Sequence, residues 1–265
     1  LNAALKHIDK NIQIAKQQSF PILHSFLLKM ESSIKRQTLT DMERIEYLIQ
    51  LNKESEQAFE QQKLSDTFLM QQYFLVAMYH IKSTIDYKRL LKKHINLPLL
   101  TTPQKKGTYV EVLRLSALHK YYALQGNMSE LHKTGKHLMQ CEELIWSKNK
   151  TETNTENLLV AINNFLVSGL ELGKFAESDK ALRLMQQIPI SNEKMRLENT
   201  IRYVHIRQVY FWDIGQHKQG LAFSEQMLKE HSFLQKFTYQ QRKISSIHLL
   251  ASLFAMSVSK NKKAV

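Results

Sequence analysis

Apolar residues recur along this chain at intervals of three and four, the spacing that gathers side chains on one face of an α-helix. The first run, Ala4, Leu5, Ile8, Ile12 and Ala15, ends at Ser19-Phe20-Pro21, where the proline restarts a helix at its favoured first position. In that second helix Ile22, Leu23, Phe26, Leu27, Met30 and Ile34 form the stripe expected to be buried. Thr40 followed by Glu43 has the form of a capping box and opens a third helix through Ile45, Leu48 and Ile49 towards Phe59. Ser65-Asp66 reads as the start of a fourth, with Leu69, Tyr73, Val76, Ala77 and His80 on one face. A fifth covers residues 83–94.

The segment 96–107, with Pro98, Pro103 and Lys105-Lys106, is the clearest loop. It separates an N-terminal helical region, 1–97, from a more regular region, 107–265, and the two are read as continuous in one solenoid. The regular region predicts helices over 108–125, 129–148, 155–172, 175–187, 193–214, 217–231 and 236–259. Thr153 and Glu156 have the spacing of another capping box, and Ile188-Pro189 closes a helix. No segment alternates apolar and polar residues long enough to form a strand, so the expected class is all-α.

Three turns stand in register. Gly126, Gly173 and Gly215 each fall between two predicted helices, at intervals of 47 and 42 residues. A glycine there can end a helix in the left-handed conformation and let the next one fold back. The stretch Leu172-Gly173-Lys174-Phe175-Ala176-Glu177-Ser178, continuing through Ala181, Leu182 and Met185 to Pro189, resembles the tetratricopeptide-repeat superfamily. Gly220 and Met227 repeat parts of that pattern, and Leu115, Ile162 and Val204 share one apolar position before the three glycines. Tyr122, Gly169 and Phe211 share another. The units are longer than the family's period of about 34 residues. Arg207 stands where the family has an apolar residue, and Met128 and His217 where it has an aromatic. The resemblance implies a right-handed superhelix of antiparallel helix pairs; an ordinary helical bundle is the alternative.

Composition narrows the field. Seven Gly and four Pro in 265 residues leave few tight turns, which argues against a sandwich, a barrel or a doubly wound sheet. A 43% hydrophobic and 23% charged chain can bury a core. The single Cys141 excludes an internal disulfide and reads as a small buried apolar group. The longest uncharged run, residues 244–259, spans 16 positions with five Ser and is too short and polar to cross a bilayer. Lys6, Asp9, Lys10 and Lys16 rule out a signal-peptide core in the first 20 residues, so a soluble, cytoplasmic protein is expected. The net charge of +13 raises nucleic acid as a partner. Its lysines are dispersed, however, with small clusters at 92–94, 105–106 and 260–263, and no segment interleaves arginine with aromatics.

The chemistry-bearing residues form no recognisable reaction centre. No His has an acidic residue three positions before it, and no two are four apart, so no helical metal site is expected. Gly215 and Gly220 have a phosphate-loop interval, but Leu221 and Ala222 replace the Lys and Ser/Thr such a loop needs. The expectation is a non-enzymatic protein without cofactor.

What the resemblance implies instead is a concave groove that holds a protein or peptide. Counting back from the turn glycines places Ser116 and Lys120, Asn163 and Glu171, and Arg202, His205 and Asp213 on it. Arg202 and Lys120 would pair a partner carboxylate, and Asn163 would hydrogen-bond its backbone. The same residues would equally serve as the wet face of a solenoid. A second reading is an effector- or peptide-sensing module of a larger bacterial signalling or transcription protein. The broad apolar surface of residues 244–258 is expected to be covered, by further sequence or by self-association.

Overall fold

The computed structural model describes residues 2–17, 21–35, 40–78, 84–231 and 241–263. Ser19, Phe20, His80, Ser83 and the expected helix start at 236 lie outside the described residues. Among the described residues there are twelve helices and no strand. In chain order they are α1 (Asn2–Gln17), α2 (Pro21–Lys35), α3 (Asp41–Met78), α4 (Thr84–His94), α5 (Leu97–Thr101) and α6 (Tyr109–Gln125). Then come α7 (Met128–Lys148), α8 (Glu152–Glu171), α9 (Phe175–Gln187), α10 (Glu193–Asp213), α11 (His217–Glu230) and α12 (Gln241–Lys263). The chain divides into two compact units, Leu1–Gly126 and Asn127–Val265, so the 96–107 segment falls inside the first.

In the first unit α1 packs on α2, α2 on α3, and α3 on α6. The Thr40 backbone N–H donates to Glu43 Oε2 at 2.9 Å, the half of a capping box in which the carboxylate reaches back. Two helices were expected over 41–78, and there is one, of 38 residues. Ser65 does not cap a new start, because its hydroxyl donates to the Gln61 carbonyl one turn back at 3.0 Å. Asp66 accepts from Gln62 at 2.7 Å, and no Gly or Pro interrupts the ladder.

The buried stripe of α2 also differs from expectation. Leu27 and Leu28 are buried with Ile8, Ile12 and Ala15 of α1, whereas Ile22, Leu23, Phe26 and Met30 are exposed. The inward side of α2 carries the buried polar residues His24, Glu31 and Ser32. His24 Nε2 lies 3.7 Å from Glu54, and buried Glu31 pairs with Lys35. On α3 the same reversal leaves Ile45 and Ile49 exposed, and Tyr73 and Val76 with them.

The 96–107 segment is not wholly a loop, since Asn96 caps the one-turn α5 by accepting from the Leu99 N–H at 3.1 Å. Arg114 on α6 holds it down from the interior. Its Nε and a terminal nitrogen grip both oxygens of Glu111, at 2.7 and 2.6 Å, and another nitrogen donates to the Leu100 carbonyl. Glu111 also accepts the Gln104 N–H at 2.8 Å. This buried, bidentate pair has its remaining hydrogen bonds met by backbone, the condition under which burying two charges is tolerable.

In the second unit α10 packs on both α8 and α12. Helix α9 touches α8 and α10, α11 touches α10 and α12, and α7 packs along α8. Gly173 and Gly215 take φ of 66° and 71° and close α8 and α10 in the same way. The Lys174 N–H donates to Gly169 O at 2.8 Å and the Gly173 N–H to Leu170 O at 3.0 Å. At the next turn the Gln216 N–H donates to Phe211 O at 2.9 Å and the Gly215 N–H to Trp212 O at 3.0 Å. Both pairs are Schellman motifs, which satisfy the last helical carbonyls and reverse the chain. Gly126, with φ of 65°, ends α6 with its N–H shared between Ala123 O and Tyr122 O.

Helix starts are set by short polar side chains. Asn127, Thr151 and Asn192 each accept an N–H three residues on. The cap of α8 is therefore Thr151 and not Thr153, and the helix begins three residues earlier than expected. The core of this unit comprises Leu158, Leu159, Ile162, Phe165 and Leu166 of α8 with Ala181, Leu182 and Met185 of α9. Cys141 is buried on α7, as expected of a small apolar group.

Candidate functional site

The seven residues named from the sequence are divided between the two units. Ser116 is half-buried in the first. Lys120 lies beside α3, its ammonium 3.4 Å from Gln72 Oε1, while Gln72 itself donates to the Leu113 carbonyl at 2.8 Å. Burial pulls the Lys120 pKa down. It also pulls the adjacent His119 down to about 4, with the Lys120 charge adding to the effect. Lys120 is thus engaged at the α3–α6 contact.

The other five lie on α8 and α10. Contacts on α10 sort its faces. Tyr203 and Phe211 meet Phe223 of α11, Tyr210 meets Phe175 of α9, and Arg207 reaches Asp179 of α9. Ile201 and Val204 pack with Ile244 and Ile247 of α12. Arg202, His205 and Asp213 fall on a different lengthwise row, with Glu198 one turn before Arg202. Arg202 lies 3.7 Å from Glu198, so its charge is partly balanced within the helix. Partial burial raises the Asp213 carboxyl above its usual range. On α8 half-buried Asn163 stands between exposed Val160 and Val167, and exposed Glu171 ends the helix. Each helix thus carries its own polar row, Asn163 and Glu171 with exposed Val160 and Val167 on α8, and Arg202, His205 and Asp213 on α10.

Sequence reasoning missed the polar groups that hold these helices together. Arg207, noted there only as a misfit, donates to Asp179 Oδ1 at 2.6 Å and lies over the Tyr210 and Phe211 rings at 4.9 and 4.8 Å. Asp179 also accepts from Arg183, and these hydrogen bonds, that from Arg207 first, hold its pKa down. Lys136 of α7 pairs with Glu177 of α9 at 2.6 Å. His132 is buried, stacked on Phe165 at 4.6 Å with Nδ1 3.2 Å from Ser168 Oγ, and burial lowers its pKa. Gln208, fully buried, donates to Ser224 Oγ at 2.8 Å and to the Ile247 carbonyl at 3.1 Å, tying α10 to α11 and α12. Spacing within one helix could have suggested only the Asp179–Arg183 pair and the Arg207 contacts with Tyr210 and Phe211. The others join residues 16 to 41 positions apart.

His217, another misfit, is explained by its neighbours. Its ring stacks on Trp212 at 4.7 Å and its Nδ1 lies 2.5 Å from Ser257 Oγ, so imidazole fills the aromatic position while reaching α12. On α12 itself Ile244, Ile247 and Phe254 are buried, and Leu249 and Met256 remain exposed.

Among the described residues no cluster of three or more His, Cys, Asp or Glu is arranged to hold a metal ion. Among them, too, no helix is long and apolar enough to cross a membrane. The described residues define an all-helical protein whose second unit carries polar residues on two adjoining helices, α8 and α10. Neither a protein-family model nor a curated protein nor a solved structure matches the chain.

Proposed function

We propose that the second unit is a tetratricopeptide-like scaffold that binds a peptide or protein segment along α8 and α10, without catalysing a reaction. The observation that carries this reading is the repeated hairpin. Two helix pairs, α8–α9 and α10–α11, are closed by the same glycine-centred hydrogen-bond pair 42 residues apart, with α10 packed on both α8 and α12. Such stacking presents equivalent positions of successive first helices side by side, which is how helical repeats build extended binding surfaces.

On that surface Arg202 is the group for a partner carboxylate, in exchange for its long contact with Glu198. Asn163 offers both an acceptor and donors to an extended backbone. Val160 and Val167 supply apolar contact between the polar groups.

Panning a random-peptide phage library against the full chain tests the reading. Selected peptides should carry an acidic side chain, and Arg202→Ala or Asn163→Ala should weaken them about 5- to 30-fold at an unchanged unfolding midpoint. Failure to select any peptide above background, or selection of peptides indifferent to both substitutions, would count against it.

A further inference from the structure

The long helix α3 has one buried apolar face and a second row that is apolar at its two ends and at Phe59. The face buried within the first unit carries Ala58, Phe68, Leu75 and Met78. The second row is open. Steps of three and four residues from Met42 trace a row that ends at Ala77, and every position on it is exposed. This is the spacing of a coiled-coil seam, sustained for five heptads and, at about 1.5 Å per residue, on the order of 50 Å long.

The row has an internal order. Met42, Ile45 and Ile49 occupy its first end, and Met70, Tyr73 and Ala77 its last. The large apolar members, with Phe59 at the middle, are between 54% and 69% exposed. Between the two ends the row is polar around Phe59: Asn52 and Glu56 precede it and Lys63 and Asp66 follow, all exposed, so that about Phe59 Glu56 mirrors Lys63 and Asn52 mirrors Asp66.

That order is self-complementary in one direction only. If a second α3 lies antiparallel, with the two-fold axis beside Phe59, each apolar end meets the other copy's apolar end. Glu56 then falls beside Lys63 of the second copy, and the symmetry makes the pair twice. A parallel arrangement would instead oppose Glu56 to Glu56 and Lys63 to Lys63. A cleft of about 630 Å³ opens beside the seam, where Phe59, Met70 and Phe74 stand among polar side chains that include Lys63 and Asp66. The seam and its flanking rows supply on the order of 20 residues per copy, the size of a standard protein interface.

We propose that this exposed face of α3 is a homodimer interface, formed by antiparallel pairing with α3 of a second copy. The occupant is another molecule of this chain because the charge order along the seam matches its own reverse. The inference uses only the first unit and stands apart from the peptide reading of α8 and α10.

Sedimentation velocity on the full chain, across a concentration series at low and moderate salt, tests it. The chain should show a monomer–dimer equilibrium. Phe59→Glu should abolish the dimer without loss of helicity or of unfolding midpoint, since the side chain is exposed. Glu56→Lys should weaken dimerisation at least about tenfold, Lys63→Glu likewise, and the double exchange Glu56→Lys/Lys63→Glu should restore it. A chain that stays monomeric overturns the proposal. So does a dimer that ignores both the Phe59 and the charge substitutions, or one lost instead through Leu249→Glu on α12.

Discussion

A Cβ on Gly220 would lie 2.5 Å from Cε1 and Cζ of Phe254. The Phe254 ring is fully buried in that contact, with Trp212 and His217 against it at 5.6 and 6.0 Å. Gly220 thus acts as a seat by which α12 closes on α11, and its place in the repeat pattern has a steric cause. Neighbouring Ser224 donates back to the Gly220 carbonyl at 2.7 Å, so the tight approach leaves that backbone group satisfied.

Gly220→Ala is therefore expected to be destabilising although alanine is the better helix former. Its helix-propensity gain of about 1 kcal/mol should be outweighed by displacement of a packed ring, leaving a net loss of roughly 1–3 kcal/mol. Combining it with Phe254→Leu should cost less than the sum of the two single changes, because the second makes room for the first. Urea unfolding of the four proteins measures the coupling, and strict additivity would show that the ring does not set the spacing.

Gly173 has a different reason to be glycine. A Cβ there would meet only Phe175, at 3.8 Å, so space is adequate, but φ is 66°. Gly173→Val should cost about 1–3 kcal/mol from backbone strain alone. Gly173→Asn should cost much less, since asparagine tolerates the left-handed region. Equal midpoints for the valine and asparagine variants would show that conformation is not the cause.

Glu142 on α7 is buried, and burial pushes its carboxyl up to about 7 from the ordinary 4.5 of a glutamate in water. The folded chain therefore holds a proton between those values that the unfolded chain has released. Stability from this group is present below about pH 4.5 and falls as the pH rises through 7. Above that window the loss is roughly 3 kcal/mol, at about 1.4 kcal/mol per pH unit of separation. Glu142→Gln should match the native chain near pH 4.5 and exceed it by up to that amount at pH 8. Chemical unfolding of the pair at several pH values reads the difference directly, and a constant gap across the range would refute the assignment.

Helix positions after residue 107 were legible because local chemistry punctuates them. Asn127 and Asn192 cap starts, and Gly126, Gly173 and Gly215 end helices at positive φ, an instruction carried by the residue itself. The continuity of α3 was not legible, because a serine can cap a helix or bond back into one. Ser65 does the second while its side is buried near the packed Phe68. The groove residues were legible as polar positions on predicted helices, but Lys120 belongs to a contact with Gln72, 48 residues away.

By itself, then, the sequence determined an all-helical chain and most of its helix ends, because periodicity, caps and glycine turns act over one or two turns of backbone. Which apolar face each helix buries was decided by tertiary structure. Ile22, Phe26, Ile45 and Ile49 have the spacing of a core and lie exposed, whereas His24 and Glu31 are buried. The physical reason is that a stripe's hydrophobicity is local but its burial depends on what another helix can offer. Here α2 packs through Leu27 and Leu28, with Leu51 of α3 against the same cluster, which brings His24 inward to 3.7 Å from Glu54 and leaves Ile22, Phe26, Ile45 and Ile49 facing outward.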